Sequence, residues 1–125
     1  MADTMESALL KFAPAPEYMT EQERGLLEYH RNNLRNKTYL EDDQGLTTLY
    51  MMGVTGPDGR IYNVPGYADG RRLTPEDASA RAAEIGWQNY PSYATGPESN
   101  EAAQKFHGIV DEDMRMFDAL TGRRQ

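Results

Sequence analysis

Apolar positions along this chain recur with three helical periods and one alternating period, and polar punctuation separates them. Downstream of Thr20, the residues Leu26, Leu27, Tyr29, His30 and Leu34 step by about three and four and mark one face of a helix over 20–35. Thr20 followed by Glu23 is a capping box, in which hydroxyl and carboxylate each satisfy an orphan backbone N–H. Gly25 weakens this helix slightly, and Asn36 offers a left-handed stop. Between Gly45 and Val54 the period drops to two: Leu46, Thr48, Tyr50, Met52 and Val54 alternate with Thr47, Leu49, Met51 and Gly53, in a run rich in strand formers. The turn Thr55-Gly56-Pro57-Asp58-Gly59 has a mechanism, because Pro57 presets φ and Gly59 accepts a positive φ. Ile61-Tyr62-Asn63-Val64 returns, Pro65 ends it, and a β-hairpin over 45–65 results.

Thr74-Pro75-Glu76-Asp77 places an N-cap, a proline at the first helical position and acid in the first turn, so a helix is predicted over 75–85 with Gly86 past its end. An aromatic linker over 86–96 follows. Gly96-Pro97-Glu98 then restarts a helix over 97–121, whose face carries Ala102, Phe106, Ile109, Val110, Met114, Phe117 and Leu120. Ahead of all this, residues 4–12 offer an amphipathic turn or two, and Ala13-Pro14-Ala15-Pro16 stops any helix there. The organisation is an N-terminal arm, 1–18, and one small domain, 19–125. The fold class is α+β: mainly helical, with one antiparallel hairpin and extended segments suited to docking. A lone hairpin is marginal in water. It must pack on the helices, gain a third strand, or lie against another protein.

Composition narrows the function classes. Only 38% of the 125 residues are apolar, and alanine, the seven methionines and the eight tyrosines make up much of that share. A large independent core is not expected, and part of the order is expected to come from a partner surface. The formal charge of −7 opposes phosphate and anionic lipid, so neither nucleic acid nor membrane is an expected partner. The short basic pairs Arg71-Arg72 and Arg123-Arg124 do not track a phosphate backbone. There is no cysteine, hence no disulfide, thiolate metal site or cysteine nucleophile. No run approaches the ~20 apolar residues of a membrane span, and the acidic start Met1–Glu6 is unlike a secretory signal. The expectation is a chain made and kept in the cytoplasm.

Candidate chemistry is sparse. His30 and His107 are the imidazoles, with Glu28 or Asp111 able to stand near one of them as an acid–base pair or half a metal site. A transition-metal site asks for three or four ligands, so neither a metal nor another cofactor is expected. Glu41-Asp42-Asp43 lacks the ligand spacing of a calcium loop and reads as a strand-entry turn. Gly66–Arg72 has glycines and arginines that could cradle a phosphate, but lacks fixed spacing and reads as a connector from hairpin to helix. Its arginines would pair with the chain's own acid or with an acidic partner. Nucleophile elbow, Walker loop and dinucleotide fingerprint are all missing from the sequence. No catalytic residue is assigned. A metal-dependent hydrolase using His30 and His107 is the remaining enzymatic alternative.

The aromatics carry more. Trp87, Tyr90 and Tyr93 fall within seven residues, and such side chains bury a flat body while keeping a polar tip wet. They are either a corner of the core or a partner-binding patch. Phe106, Val110, Met114 and Phe117 form a stripe that the chain's own helix and hairpin, or another subunit, must cover.

Asn63-Val64-Pro65-Gly66-Tyr67, then Trp87–Thr95, then the helix Glu98–Leu120 together resemble small accessory proteins of tailed bacteriophages and prophages. The resemblance spans the C-terminal half and implies a virion component: head decoration, head–tail or injection protein, present in multiple copies. It implies synthesis in the host cytoplasm and then residence in the virion. No residue role transfers with it. The leading expectation is therefore a non-enzymatic interaction protein that docks on a larger assembly through Trp87, Tyr90, Tyr93, Phe106, Val110, Met114 and Phe117. The alternative is a small acidic regulatory or inhibitor module that binds a basic protein.

Overall fold

The computed structural model describes residues 11–43 and 45–122. The amphipathic turn expected at 4–12 lies almost wholly outside them. Where the arm enters view it has no regular structure, yet Phe12 sits beneath the guanidinium groups of Arg31 and Arg35, at 4.8 and 5.0 Å.

Helix α1, Glu21–Arg35, begins at Thr20 with both bonds of its capping box in place, 2.9 and 3.1 Å. Its end differs from expectation. Asn36 stays right-handed and Lys37 takes the left-handed conformation at φ 57°. The Thr38 and Lys37 amides reach back to the carbonyls of Asn33 and Leu34, closing a Schellman motif one residue beyond the expected stop.

The run 45–54 is not one strand. β1, Leu40–Asp42, pairs antiparallel with β2, Gly45–Thr47. The chain then crosses over at 48–51, and β3, Met52–Thr55, pairs with β4, Ile61–Val64. At the crossing Tyr50 adopts φ 48°, a left-handed state uncommon for an aromatic residue. The Gly66 amide holds it by bonding to the carbonyls of Leu49 and Tyr50 at 2.9 and 3.0 Å. A side chain at Gly66 would collide with the Tyr50 carbonyl and with Met52, so only glycine permits this approach. The 45–65 hairpin thus shrinks to β3–β4, because Thr48 and Leu49 turn inward and are buried instead of pairing.

Residues 66–72 are also more than a connector. β5, Tyr67–Ala68, and β6, Arg71–Arg72, form a second tight hairpin around Asp69 and Gly70, with φ 54° and 82°. Positive φ at both central residues is the primed turn that Asp-Gly favours. Arg71 and Arg72 pair with the chain's own acid, Asp77 and Asp42.

Helix α2, Pro75–Ile85, is capped by Thr74 and ends at Gly86. A 3-10 turn, Trp87–Asn89, leads to β7, Ser92–Tyr93, which joins β4 on its free side. The hairpin therefore acquires its third strand from within the aromatic linker. Helix α3, Gly96–Thr121, closes the chain with Thr95 as N-cap and left-handed Gly122 beyond. The architecture is α+β, with short antiparallel sheets packed among helices. None of the helices among the described residues is long and apolar enough to cross a membrane.

Three clusters make the core. α2 lays Ala78 and Ala82 on Val54, Tyr62 and Val64. Leu26 and Leu27 of α1 meet Phe106 of α3, with Met19 and Leu49. Further along, Leu34 meets Phe117. These contacts set α1 and α3 side by side, running in the same direction. Phe106 and Phe117 are 3% and 1% exposed, covered by the chain itself. Phe106→Ala should accordingly lower the unfolding free energy of the isolated chain by about 3–5 kcal/mol, as emptying a buried aromatic site does. Chemical denaturation measures it, and a loss below about 1 kcal/mol would contradict self-burial.

Candidate functional site

The most concentrated polar chemistry lies between α1 and α3. His30 is fully buried, with Nδ1 at 2.6 Å from the Thr48 hydroxyl and Nε2 at 3.1 Å from Asp113 Oδ2. Arg31 donates to the same carboxylate from Nε at 2.9 Å and from its terminal nitrogen at 3.3 Å. The Thr48 carbonyl accepts from Asn33 at 2.7 Å, and Asn33 in turn accepts from the Thr38 hydroxyl at 2.7 Å. Helical spacing makes this meeting possible. Asp113 lies seven residues after Phe106 and shares its buried face, while His30 and Arg31 sit between Leu27 and Leu34 on the facing helix.

Burial alone pushes the Asp113 carboxyl upward, but the bonds from His30 and Arg31 overcome it and hold the group below the usual carboxylate range. The ionised carboxylate can only accept, so the His30 Nε2 carries a hydrogen and donates to it. In the neutral imidazole, Nδ1 then accepts the Thr48 O–H. Hydroxyl, imidazole and carboxylate stand in the order that activates a nucleophile. Two features oppose that use in the closed fold. Thr48 and Asp113 are only 2% and 4% exposed, and Arg31 already occupies the carboxylate. The arrangement works as a tie between two helices and the β2–β3 crossing.

The expected partners of the histidines fall elsewhere. Glu28 pairs with Arg35 on the surface, and His107 and Asp111 are both exposed. The carboxylate that His30 meets is instead Asp113, which sequence analysis did not pair with it. No cluster of three metal-capable side chains occurs among the described residues.

The aromatic linker is built into the fold. Trp87 packs on Tyr62 with ring centroids 4.9 Å apart, and Tyr90 lies against both the α2 cluster and the Phe106 cluster. The Tyr93 hydroxyl donates to Glu23 at 2.6 Å. All three rings remain partly exposed. Of the α3 stripe, Val110 and Met114 are half-buried, whereas Phe106 and Phe117 reach a partner only if the helices part.

Around Glu23 the surface is concave. A cleft of about 300 Å³ opens between Tyr18, Glu98, Glu101, Lys105 and Phe106. A second, of about 240 Å³, lies against Tyr90, Pro91, Ser92 and Tyr93, and both include Thr20 and Glu23 in their walls. The Tyr18 ring is 59% exposed and stands beneath the Lys105 ammonium at 5.2 Å. Tyr50 is 53% exposed, with the Arg72 guanidinium 5.8 Å from its ring. Neither ring stands out in the sequence as a binding residue. Their signal was tertiary: a left-handed backbone at Tyr50, and a helix 87 residues downstream of Tyr18 supplying the cation.

Two pH dependences follow from these bonds. Asp113 contributes stability that is complete above the ordinary carboxylate value of about 3.9 and is lost as pH falls through its lower folded value. Asp113→Asn should cost about 3–5 kcal/mol near neutrality, because it leaves Arg31 buried without its counter-charge. The gap between wild type and variant in urea midpoint should then narrow below about pH 4. A pH-independent gap would count against an ionised Asp113.

At the other end, burial raises Tyr29, Tyr67, Tyr90 and Tyr93, with Arg81 partly opposing it at Tyr29 and Tyr90 and the Glu23 bond adding to it at Tyr93. Tyr62 is raised chiefly by its hydrogen bond to Asp58. Raised phenols contribute stability below about pH 10 and lose it as pH rises further. Phenolate absorbance of the native chain should therefore lag behind that of the urea-unfolded chain for these five of the eight tyrosines. Superimposed titration curves would refute it.

Compared with protein-family models, with curated proteins and with solved structures, the chain has no match in any of the three.

Proposed function

We propose that this chain is a non-enzymatic interaction protein that docks on a larger protein assembly. The observation that carries the reading is the contrast between its chemistry and its surface. The hydroxyl–imidazole–carboxylate group is sealed between helices, while Tyr18 and Tyr50 are held outside, each beneath a cation. An exposed ring pinned in place loses little freedom on binding, which is how aromatic anchors contribute to interfaces. The clefts beside Tyr18 and Tyr93 give such an interface relief on which a partner can seat. The sequence resemblance to accessory proteins of tailed phages is what supports a virion as the assembly, with multiple copies on a symmetric scaffold. A net charge of −7 argues against nucleic acid as the direct partner.

One observation favours a second reading. The Tyr18 cleft carries Glu23, Glu98 and Glu101 against one lysine, a balance that suits a basic protein and hence a small acidic inhibitor or regulator. A single experiment separates the two. The chain is tagged at its native locus, particles are produced, and the lysate is resolved on a density gradient. Co-sedimentation with particles in many copies, lost on Tyr18→Ala plus Tyr50→Ala, is the expected result. Retention at the top of the gradient beside normally assembled particles would overturn the virion reading. A stoichiometric complex there with one basic protein would replace it with the regulator.

A further inference from the structure

α1, α2 and the β5–β6 hairpin enclose an open cleft of about 520 Å³, which shares no lining residue with the Tyr18 cleft. Its walls are aromatic and fixed. The Tyr29 hydroxyl donates to the Tyr67 carbonyl at 2.6 Å, and the Tyr67 hydroxyl donates to the Thr38 carbonyl at 2.6 Å. Tyr39 is braced edge-on against Phe117, centroids 5.7 Å apart. Tyr29, its hydroxyl engaged, offers the cleft chiefly ring surface; Tyr67, only 2% exposed, lies beneath it as support, and the tight turn at Asp69 and Gly70 forms one rim.

Into this largely aromatic cleft, which Asn33, Thr38 and Asp69 also line, α2 projects Arg81, partly buried and 5.5 Å from the Tyr29 ring. Acid is in excess in this chain, twenty carboxylates to thirteen lysines and arginines. Arg35, Arg71, Arg72 and Arg115 accordingly each find an acidic partner near the surface. Arg81, partly buried like Arg35 and Arg72, has no ion pair among the described residues; it stands near the phenols of Tyr29 and Tyr90, and shares the cleft with Asn33, Thr38 and Asp69. A guanidinium in such a setting is a site for an anion that the chain does not itself supply.

We propose that this cleft binds a monoanionic carboxylate carried on a flat apolar body, with Arg81 gripping the carboxylate and Tyr29 and Tyr39 packing its ring. The size suits a small ligand, since such sites run from roughly 300 to 1,000 Å³. The charge balance selects a monoanion. Arg81 is one positive charge, and Asp69 on the rim opposes a second negative one, which disfavours a phosphate dianion. The planar fork of the guanidinium matches two carboxylate oxygens at once, and ring-on-ring packing accounts for the aromatic walls. The carboxylate can belong to a free small molecule or to the C-terminal residue of another chain. Both present the same group.

The test uses the full chain, labelled with nitrogen-15, titrated with benzoate and, separately, with a tripeptide ending in phenylalanine, its C-terminus free or amidated. Saturable shifts are expected at the amides of Tyr29, Tyr67, Gly70 and Arg81. Affinity should fall at least about tenfold in Arg81→Gln, the scale of losing one charge-assisted contact. Arg81→Lys keeps the charge but loses the fork, and should bind with intermediate affinity, which preserves the test if the glutamine variant does not fold. Binding of benzoate identifies a free ligand as the source. Binding confined to the peptide with a free terminus identifies a chain end. Absence of saturable shifts with any probe, shifts that map outside the cleft, or affinity unchanged in both Arg81 variants would overturn the proposal.

Discussion

The rest of the structure depends on one buried charge. Asp113 brings a negative group to the interface of α1 and α3, where only full satisfaction makes it tolerable. His30 and Arg31, adjacent on α1, supply that satisfaction from two directions, and His30 passes the constraint on to Thr48. Apolar packing of Leu27 on Phe106 and Leu34 on Phe117 would hold the helices together in more than one sliding register. A carboxylate that must meet two donors at hydrogen-bond distance permits only one. The polar tie adds specificity to a modest apolar core, and it fixes where the β2–β3 crossing lies against α1.

The aromatic linker plays a comparable part elsewhere in the molecule. Two of its residues become the third strand beside β4, the Pro91 carbonyl accepts from the Asn63 amide at 3.1 Å, and Tyr93 reaches back to the first turn of α1. Tyr90 stands between two core clusters that are otherwise separate. The linker thus joins the helical and sheet portions, and what it leaves exposed is the rim of a cleft more than a flat patch.

The parts legible in the sequence were those governed by local rules. The capping box at Thr20, the Thr74-Pro75 start and the Gly86 stop all rest on bonds within a few residues, and the structure forms them. Asp69-Gly70 was a legible turn that the reading passed over, because strands of two residues on either side have no period to detect. The alternation from Leu46 to Val54 misled for a different reason. Its period is that of a strand, but Thr48 is drawn inward by His30 and the chain changes sheets at Tyr50, a long-range demand with no local mark. Asp113 was unreadable for the same cause. In an acidic triplet it looks solvated, and only the docking of α1 singles it out. The Arg81 cleft required both hairpin and helices in place before its walls existed.

The left-handed turn at Tyr50 also bears on how the chain avoids its own kind. From Gly45 to Thr55 there is no charge and no proline, while threonine, tyrosine and valine favour extended backbone. Left straight, such a stretch would be a long neutral edge open to pairing with identical stretches of neighbouring molecules, the raw material of cross-β stacking. Breaking it at Tyr50 leaves β2 and β3 only three and four residues long, paired with β1 and β4. The contact of Gly66 with the Leu49 and Tyr50 carbonyls therefore does more than shape the crossing: in the folded chain it keeps this neutral stretch from lying open as one long edge.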